Sequence, residues 1–332
     1  MPEVIRFDFD PTIAPFGLTV RLETLALAAV VFIVLVLAAL GAGRMRARSD
    51  TGSDGLARNA GRLRRDDLIL IAIGAVPGAV IGARIDYGLI HYDYFGLDPG
   101  RLADPGQGGL ALSLAVVLGV VTALAVARLL AAPISLWLHV ASGPLLVGLG
   151  LGKLAMVLGG DGQGRFSDSR WATVYVRPGP WQSANPDVAA LPSQALEGVL
   201  VLIIAFLIVA VPFALRFRLR RWWRIVRPGL APRHDWPMLT GYRRFLTALC
   251  LWSMARFAAA FTWRDAQVEG PLRAEQIVLL VVFAGCAAIF IVAGLWGLRR
   301  RGAAARVAAR ATTVRDGADL PEPRTGIGAV PR

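Results

Sequence analysis

The chain has 332 residues, of which 55% are hydrophobic, and its mean hydropathy is +0.56. These values exclude an ordinary soluble domain, because the apolar residues come in blocks about as long as a bilayer is thick. The net charge of +13 does not indicate a nucleic-acid-binding protein, since the arginines lie between the apolar blocks rather than along one face. We therefore expect an integral membrane protein without a nucleic-acid partner.

The first twenty residues carry acidic side chains and no apolar signal-peptide core, so we expect no cleavable leader. The apolar blocks that follow predict seven transmembrane helices, at about 22–43, 67–90, 109–131, 134–159, 191–215, 242–262 and 275–298. Arginine-rich segments separate the first two spans, separate the fifth from the sixth and follow the last, so the positive-inside rule places the N-terminus outside and the C-terminus in the cytoplasm. The predicted fold class is an all-α integral membrane protein, with a seven-helix domain over residues 1–301 and a disordered basic cytoplasmic tail over residues 302–332.

Four of the spans contain polar residues that hydrocarbon tolerates poorly. Arg84 ends the second span, where it indicates either snorkelling toward the interface or contact with a lipid headgroup. Lys153, the only lysine of the chain, lies in the apolar fourth span, where an ionised side chain costs about 2.5–3.5 kcal/mol. Gln194 and Glu197 share a helix face at the start of the fifth span, and Arg256 lies in the middle of the sixth.

These residues together suggest a binding site for a phosphodiester. Cations and neighbouring polar groups recur near the outer level of the predicted membrane region, at Arg84, Lys153, Asp161, Arg165, Gln194, Glu197 and Arg256. Arginine holds a phosphate bidentately, and lysine holds it as a point charge. We therefore expect a pocket for an anionic phospholipid headgroup that opens to the outer leaflet. These residues leave open whether the lipid is bound, moved or cut.

Short motifs occur along the same region, at Gly82-Ala83-Arg84, Gln107-Gly108-Gly109, Gly152 through Arg165, Arg170-Trp171-Ala172, Leu191 through Glu197, Arg256-Phe257 and, more loosely, Arg264-Asp265. In this order they resemble the prolipoprotein diacylglyceryl transferase family, and the resemblance runs from about Phe16 to Ile291. Each match is short, but the first six in the right order are a strong signal. Seven spans with the N-terminus outside is also the topology that the resemblance implies.

The resemblance implies a reaction as well. Enzymes of that family transfer the diacylglyceryl group of phosphatidylglycerol to the lipobox cysteine of a prolipoprotein and release glycerol-1-phosphate. This chain is then expected to act in the bacterial plasma membrane on phosphatidylglycerol and a prolipoprotein signal peptide, with no metal or cofactor. The resemblance assigns the clamp on the leaving phosphate to Lys153 and Arg256, places Ser113 at a catalytic position and makes Arg84 and Glu197 orienting groups.

The chain departs from the family pattern close to this chemistry. Lys153 replaces the signature arginine, Ser113 stands where many members have a histidine, and Asp161 replaces a glutamate. The further replacements are Met156 for an asparagine, Glu23 for a tyrosine, Leu191 for a histidine and Leu196 for a tyrosine. They leave Glu23 or Asp161 as substitutes for the general base. Two alternatives stand beside an active transferase: a silent or retasked paralogue that binds an anionic phospholipid or modifies another acceptor, and a membrane transporter.

Overall fold

The structure is a computed structural model that describes residues 4–49, 63–104, 106, 109–176, 181–183, 186–226, 241–265 and 267–318. Gln107 and Gly108 of one matching motif lie outside these residues, as do residues 319–332 of the predicted tail. The chain divides into two compact units, residues 1–286 and residues 287–332. The first contains the helical bundle, and the described part of the second is helical.

The described residues are mostly helical, with short strands, turns and irregular segments between the helices. The α-helices are α1 (Leu22–Ser49), α2 (Arg65–Ile90), the single turn α3 (Tyr92–Phe95), α4 (Ser113–Leu129), α5 (Ile134–Ala155), α6 (Ser193–Val226), α7 (Tyr242–Ala260) and α8 (Ala274–Ala318). Each helix longer than α3 overlaps one predicted span, and the predicted all-α class is confirmed. Within the described residues, α1, α2, α5, α6 and α8 contain segments long and apolar enough to cross a membrane, and α4 is apolar but shorter. The chain is therefore a multi-pass membrane protein.

The bundle core forms where α5, α6 and α7 meet. Leu146, Val201, Ala248 and Trp252 are buried there, together with Leu279 from the first part of α8. Many large apolar side chains point away from this core, as on the outer faces of α1 and α2. That distribution is expected where the surrounding solvent is lipid rather than water.

Helices α2 and α4 pack most closely, because glycine lines their interface. A Cβ atom on Gly78 would lie 2.3 Å from the carbonyl oxygen of Leu118, and one on Gly82 would lie 2.2 Å from that of Leu114. Spacing of small residues by four places them on one helix face and lets two backbones approach. The contact fixes the start of α4, where Ser113 lies.

Three short strand pairs lie at one end of the bundle. They are β1 (Ile5–Phe7) parallel to β4 (Thr173–Tyr175), β2 (Thr12–Ile13) antiparallel to β3 (Val20–Arg21), and β5 (Gln267–Glu269) antiparallel to β6 (Leu272–Arg273). β3 leads into α1, β4 lies between α5 and α6, and β5 and β6 connect α7 to α8. The strands thus cover the helix ends at which the predicted site residues lie.

Candidate functional site

A cluster of buried polar and charged side chains lies at the helix ends that the strands cover. Ser113 begins α4, Lys153 lies at the end of α5, Glu197 near the start of α6, Arg256 near the end of α7 and Glu275 at the start of α8. None of these five residues is more than 6% exposed. Buried charged side chains require partners. Each of these five helices supplies one residue of the cluster.

Arg256 is at the centre of this cluster. Its guanidinium forms ion pairs with Glu197 through Nη1 and with Glu275 through Nη2. Its Nε donates to the Ser113 hydroxyl over 3.3 Å, and that hydroxyl donates to Glu275 Oε1 over 3.2 Å. A guanidinium has five N–H donors, so these contacts leave two of them without a partner among the described residues.

The ammonium of Lys153 is held more loosely than the guanidinium. Its Nζ lies 3.5 Å from Glu197 Oε2 and 4.4 Å from the centre of the Trp263 ring, which is a cation–π contact. Within the described part of the chain, Nζ makes no contact short enough to be a hydrogen bond. Because an ammonium carries three donors, Lys153 can bind an acceptor without giving up an existing hydrogen bond.

The charges of this cluster balance. Lys153 and Arg256 supply two positive charges, and Glu197 and Glu275 supply two negative ones. Each buried ion costs several kcal/mol of lost hydration, which the mutual attraction of the four groups offsets. The four groups therefore neutralise one another and still offer donors to an anion.

Two buried oxygen atoms on the first turns of α6 add acceptors to the site. Gln194 Oε1 and Glu197 Oε2 accept no hydrogen bond from the described residues. Gln194 Nε2 donates to the Tyr175 hydroxyl over 3.5 Å, and that hydroxyl donates to the Val157 carbonyl over 2.9 Å. Burial raises the pKa of Tyr175 above its ordinary value, so the phenol stays protonated and keeps this donor role.

The turn that follows α5 lies beside the start of α1. Gly162 has a φ of +75°, a conformation that favours glycine. At Gly159 a Cβ atom would lie 1.9 Å from Glu23 Oε2, so the absence of a side chain makes room for that carboxylate. Asp161 is half-buried and interacts electrostatically with both Glu23 and Lys153. Asp161 thus lies near the lysine of the cluster, and Glu23 lies near Asp161.

Hydrogen bonds tie this turn to the segments before α6 and after α7. The Thr262 carbonyl accepts from the backbone N–H of Arg165 over 2.9 Å and from the Ser193 hydroxyl over 3.0 Å. The next carbonyl, that of Trp263, accepts from Arg273 Nη2 over 2.9 Å. These bonds fix the backbone on both sides of the indole that covers Lys153.

Arg84 binds the loop before α4 rather than the cluster. Its guanidinium donates to four backbone carbonyl oxygens, those of Leu102, Gly109, Arg101 and Asp104. Asp86 lies two residues further along α2, and its Oδ2 accepts from the backbone N–H of Leu114 over 3.0 Å. Arg84 and Asp86 therefore hold the entry into α4 and, through it, the position of Ser113.

The structure brings four of the residues predicted from sequence into one contact network, namely Ser113, Lys153, Glu197 and Arg256. Gln194 lies one turn from Glu197 on α6 and Asp161 lies near Lys153. Arg84 contacts the loop, and the Arg165 side chain is exposed. The roles of all these residues in lipid binding remain predictions.

Two residues of the network were not predicted from sequence, Glu275 and Trp263. Glu275 is an acidic residue at the start of an apolar span, which is the same signal that marks Glu197. Trp263 follows the sixth span as an interfacial tryptophan does, and only the fold places it over Lys153.

Comparison with known proteins shows which sequence family this chain matches. The sequence model described as prolipoprotein diacylglyceryl transferase matches residues 18–292 of the chain. A phosphatidylglycerol–prolipoprotein diacylglyceryl transferase of Trichormus variabilis is 25% identical over 214 residues, which are 63% of this chain and 68% of the relative. A protein of the same name from Sinorhizobium medicae is 32% identical over 139 residues, 41% of this chain and 47% of the relative. One from Shewanella oneidensis is 28% identical over 162 residues, 45% of this chain and 55% of the relative. The chain thus matches about two thirds of the first relative and about half of the other two.

Proposed function

The chain belongs to the prolipoprotein diacylglyceryl transferase family, and on that premise we propose that it transfers the diacylglyceryl group of phosphatidylglycerol to the lipobox cysteine of prolipoproteins. The observation that carries the proposal is the buried cluster of Lys153, Arg256, Glu197 and Glu275. It combines cations that have donors to spare with nearby acceptors, at the depth where a phospholipid headgroup meets the hydrocarbon. No cofactor enters the proposed reaction.

The proposed topology has seven spans in the bacterial plasma membrane, with the N-terminus outside and the C-terminus in the cytoplasm. Helices α1, α4, α6 and α8 begin at the cluster, whereas α2, α5 and α7 end there, and this alternation supports seven crossings. The far ends of α1 and α6 are rich in arginine, which the positive-inside rule makes cytoplasmic. The cluster then lies toward the outer leaflet, where a prolipoprotein exposes its cysteine.

Lys153 is the residue that we assign to the lipid phosphate. It is the cation whose donors make no hydrogen bond within the described residues, and Arg256 adds its two remaining N–H groups. Gln194 Oε1 and Glu197 Oε2 are acceptors suited to the hydroxyl groups of a glycerol headgroup. This pairing of donors for phosphate with acceptors for hydroxyl groups favours phosphatidylglycerol over a headgroup that carries its own cation.

The proposed reaction develops negative charge on the leaving phosphate, beside the cations of the cluster. The cysteine sulfur forms a bond to the terminal carbon of the diacylglyceryl group, and the bond from that carbon to the phosphate oxygen breaks. The thiol proton leaves to a base, and the departing glycerol phosphate gains a negative charge. Fixed cations beside that oxygen stabilise the transition state more than the ground state. We assign Asp161 and Glu23 as candidates to accept the proton, because Asp161 interacts electrostatically with Lys153 and Glu23 interacts with Asp161.

An apolar cavity supports the placement of a lipid beside the cluster. It has a volume of about 380 Å³ and lies between α1, α2, α4 and α5. Leu112 and Ala115, which line it, flank Ser113 in the chain, and Ala127 and Trp137 line its other end. The volume lies within the range of about 300–1,000 Å³ that is typical of ligand pockets. We assign this cavity to an acyl chain of the substrate lipid.

Acylation of a reporter tests the proposed function. The chain is expressed in bacteria depleted of their own transferase, together with a lipobox reporter, and the reporter mass is measured. We expect the mass of a diacylglyceryl-modified cysteine, and none in cells with empty vector. An unmodified reporter, with the protein present in the membrane, overturns the proposal. Binding of phosphatidylglycerol by that inactive protein would favour the paralogue that binds lipid without transfer.

A further inference from the structure

Glu275 has no role in the expectations drawn from the family motifs, yet it is one of two carboxylates that hold Arg256. It is 4% exposed at the start of α8, and its Oε1 accepts from both Arg256 Nη2 and the Ser113 hydroxyl. Glu197 reaches the same guanidinium from the opposite side, through Nη1. The guanidinium is therefore fixed from two helices at once.

A helix-capping role does not account for Glu275. Acidic residues in the first turn often serve the helix N-terminus by accepting from its N–H groups. At α8 the next residue, Gln276, caps the helix, because its Oε1 accepts from the backbone N–H of Arg273 over 2.9 Å. Glu275 instead turns its carboxylate toward Arg256 and Ser113. A buried carboxylate that serves no cap is costly unless its partner needs it.

We propose that Glu275 is a positioning residue that orients Arg256 and balances the charge of the cluster of Lys153, Arg256, Glu197 and Glu275 until the anionic headgroup enters. The inference rests on the proposed function. Because Glu275 takes one side of the guanidinium, Glu197 engages Arg256 through Oε1 only and leaves Oε2 facing Lys153 at 3.5 Å. Without Glu275, Lys153 and Arg256 would share Glu197 as their ion-pair partner, and these three groups would carry a net charge of about +1 when ionised.

This arrangement predicts opposite effects on binding and on turnover. A site with one more positive charge binds an anionic lipid more tightly, by about tenfold at the lower end of the coupling seen between close charge pairs. An Arg256 that is no longer fixed from two sides loses its alignment with the leaving oxygen, and misplacement by an ångström costs about 10²-fold in rate. A purely structural residue would lower the amount of folded protein without lowering KM.

The test uses Glu275→Gln, Glu275→Asp and the control Glu269→Gln, which changes an exposed glutamate of β5. The full chain is purified, its melting temperature is measured, and kcat and KM for phosphatidylglycerol are determined with a lipobox peptide as acceptor. We expect Glu275→Gln to lower KM about tenfold and kcat about 10²-fold. We expect Glu275→Asp to restore KM and kcat part of the way toward the wild-type values. We expect Glu269→Gln to have the wild-type KM and kcat. An unchanged KM overturns the inference, whether kcat stays at the wild-type value or falls.

A direct measurement of lipid binding distinguishes failure of this inference from failure of the proposed function. Short-chain phosphatidylglycerol is titrated calorimetrically into the wild type and Glu275→Gln in micelles. If the wild type binds the lipid but transfers nothing, the proposed reaction fails, and the charge-balancing role is judged from binding alone. Tighter binding by Glu275→Gln supports that role, and equal or weaker binding overturns it.

Discussion

Replacement of Lys153 by methionine removes the charge of this side chain while keeping its length. At 3.5 Å and an effective dielectric constant of about 20, the attraction between Lys153 and Glu197 is about 5 kcal/mol. Recovery of the ammonium's hydration penalty, which is several kcal/mol, offsets most of that loss. Glu197 also keeps its ion pair with Arg256 in the variant. We therefore expect Lys153→Met to change the melting temperature by only a few degrees.

The expected effect on catalysis is much larger. Removal of one donor from a developing anion costs about 2.7–4 kcal/mol, or about 10²–10³ in kcat. Lys153→Arg keeps the charge and supplies the residue of the family signature, so we expect it to retain activity within about tenfold of the wild type. The difference between these two variants isolates the charge from the shape of the side chain.

Steady-state transfer to a lipobox peptide, followed by mass spectrometry, measures this difference in the purified chain. Leu151→Met is the matched control, because it introduces the same side chain at a half-buried position two residues away in α5. Wild-type kcat in Lys153→Met would refute the assignment of this ammonium to the leaving phosphate. A fall in activity that accompanies loss of folded protein would instead mean that the lysine is structural.

Three further predictions concern Arg256, Arg84 and Asp265. Arg256→Leu leaves two buried carboxylates without their shared cation, so it should destabilise the protein by about 3–5 kcal/mol, clearly more than Lys153→Met, in thermal unfolding. Arg84→Ala removes four hydrogen bonds to the loop before α4 and should make that loop more sensitive to protease, while Arg101→Ala, whose side chain is about half exposed, serves as control. Burial raises the pKa of Asp265, so its contribution to stability is present at low pH and is lost as pH rises through the folded-state pKa. Asp265→Asn should therefore raise the melting temperature at neutral pH, and this gain should vanish in acid; an equal gain at every pH would contradict the explanation.

The helices could be predicted from sequence because apolar length and helix propensity act locally. Their ends were less predictable, since ends depend on contacts. The third span was predicted from 109, but α4 begins at Ser113, and the preceding Ala111 N–H instead donates to the carbonyl of Ala83 in α2. The fifth was predicted to end at 215, but α6 continues to Val226, through arginine-rich sequence that favours helix.

From sequence, the site could be predicted as a set of residues but not as a set of contacts. Charge in an apolar span marks Lys153, Glu197 and Arg256, because each must find a partner. Which partner each finds depends on the relative placement of helices far apart in sequence, as for Glu275 and Ser113, which are separated by 162 positions. Arg84 illustrates the limit, because its partners are loop carbonyls that carry no sequence signal.

The division of the cluster among several helices also constrains how the protein is made. Helix α7 is not among the five helices that, within the described residues, are long and apolar enough to cross a membrane. A lone Arg256 would add about 2.5–3.5 kcal/mol to the transfer of α7 from translocon to lipid. The carboxylates that neutralise it lie on α6, synthesised before, and on α8, synthesised after. We therefore expect α7 to leave the translocon only with its neighbours, once Glu275 has emerged from the ribosome. The glutamates that arrange the site would then also act as biogenesis signals.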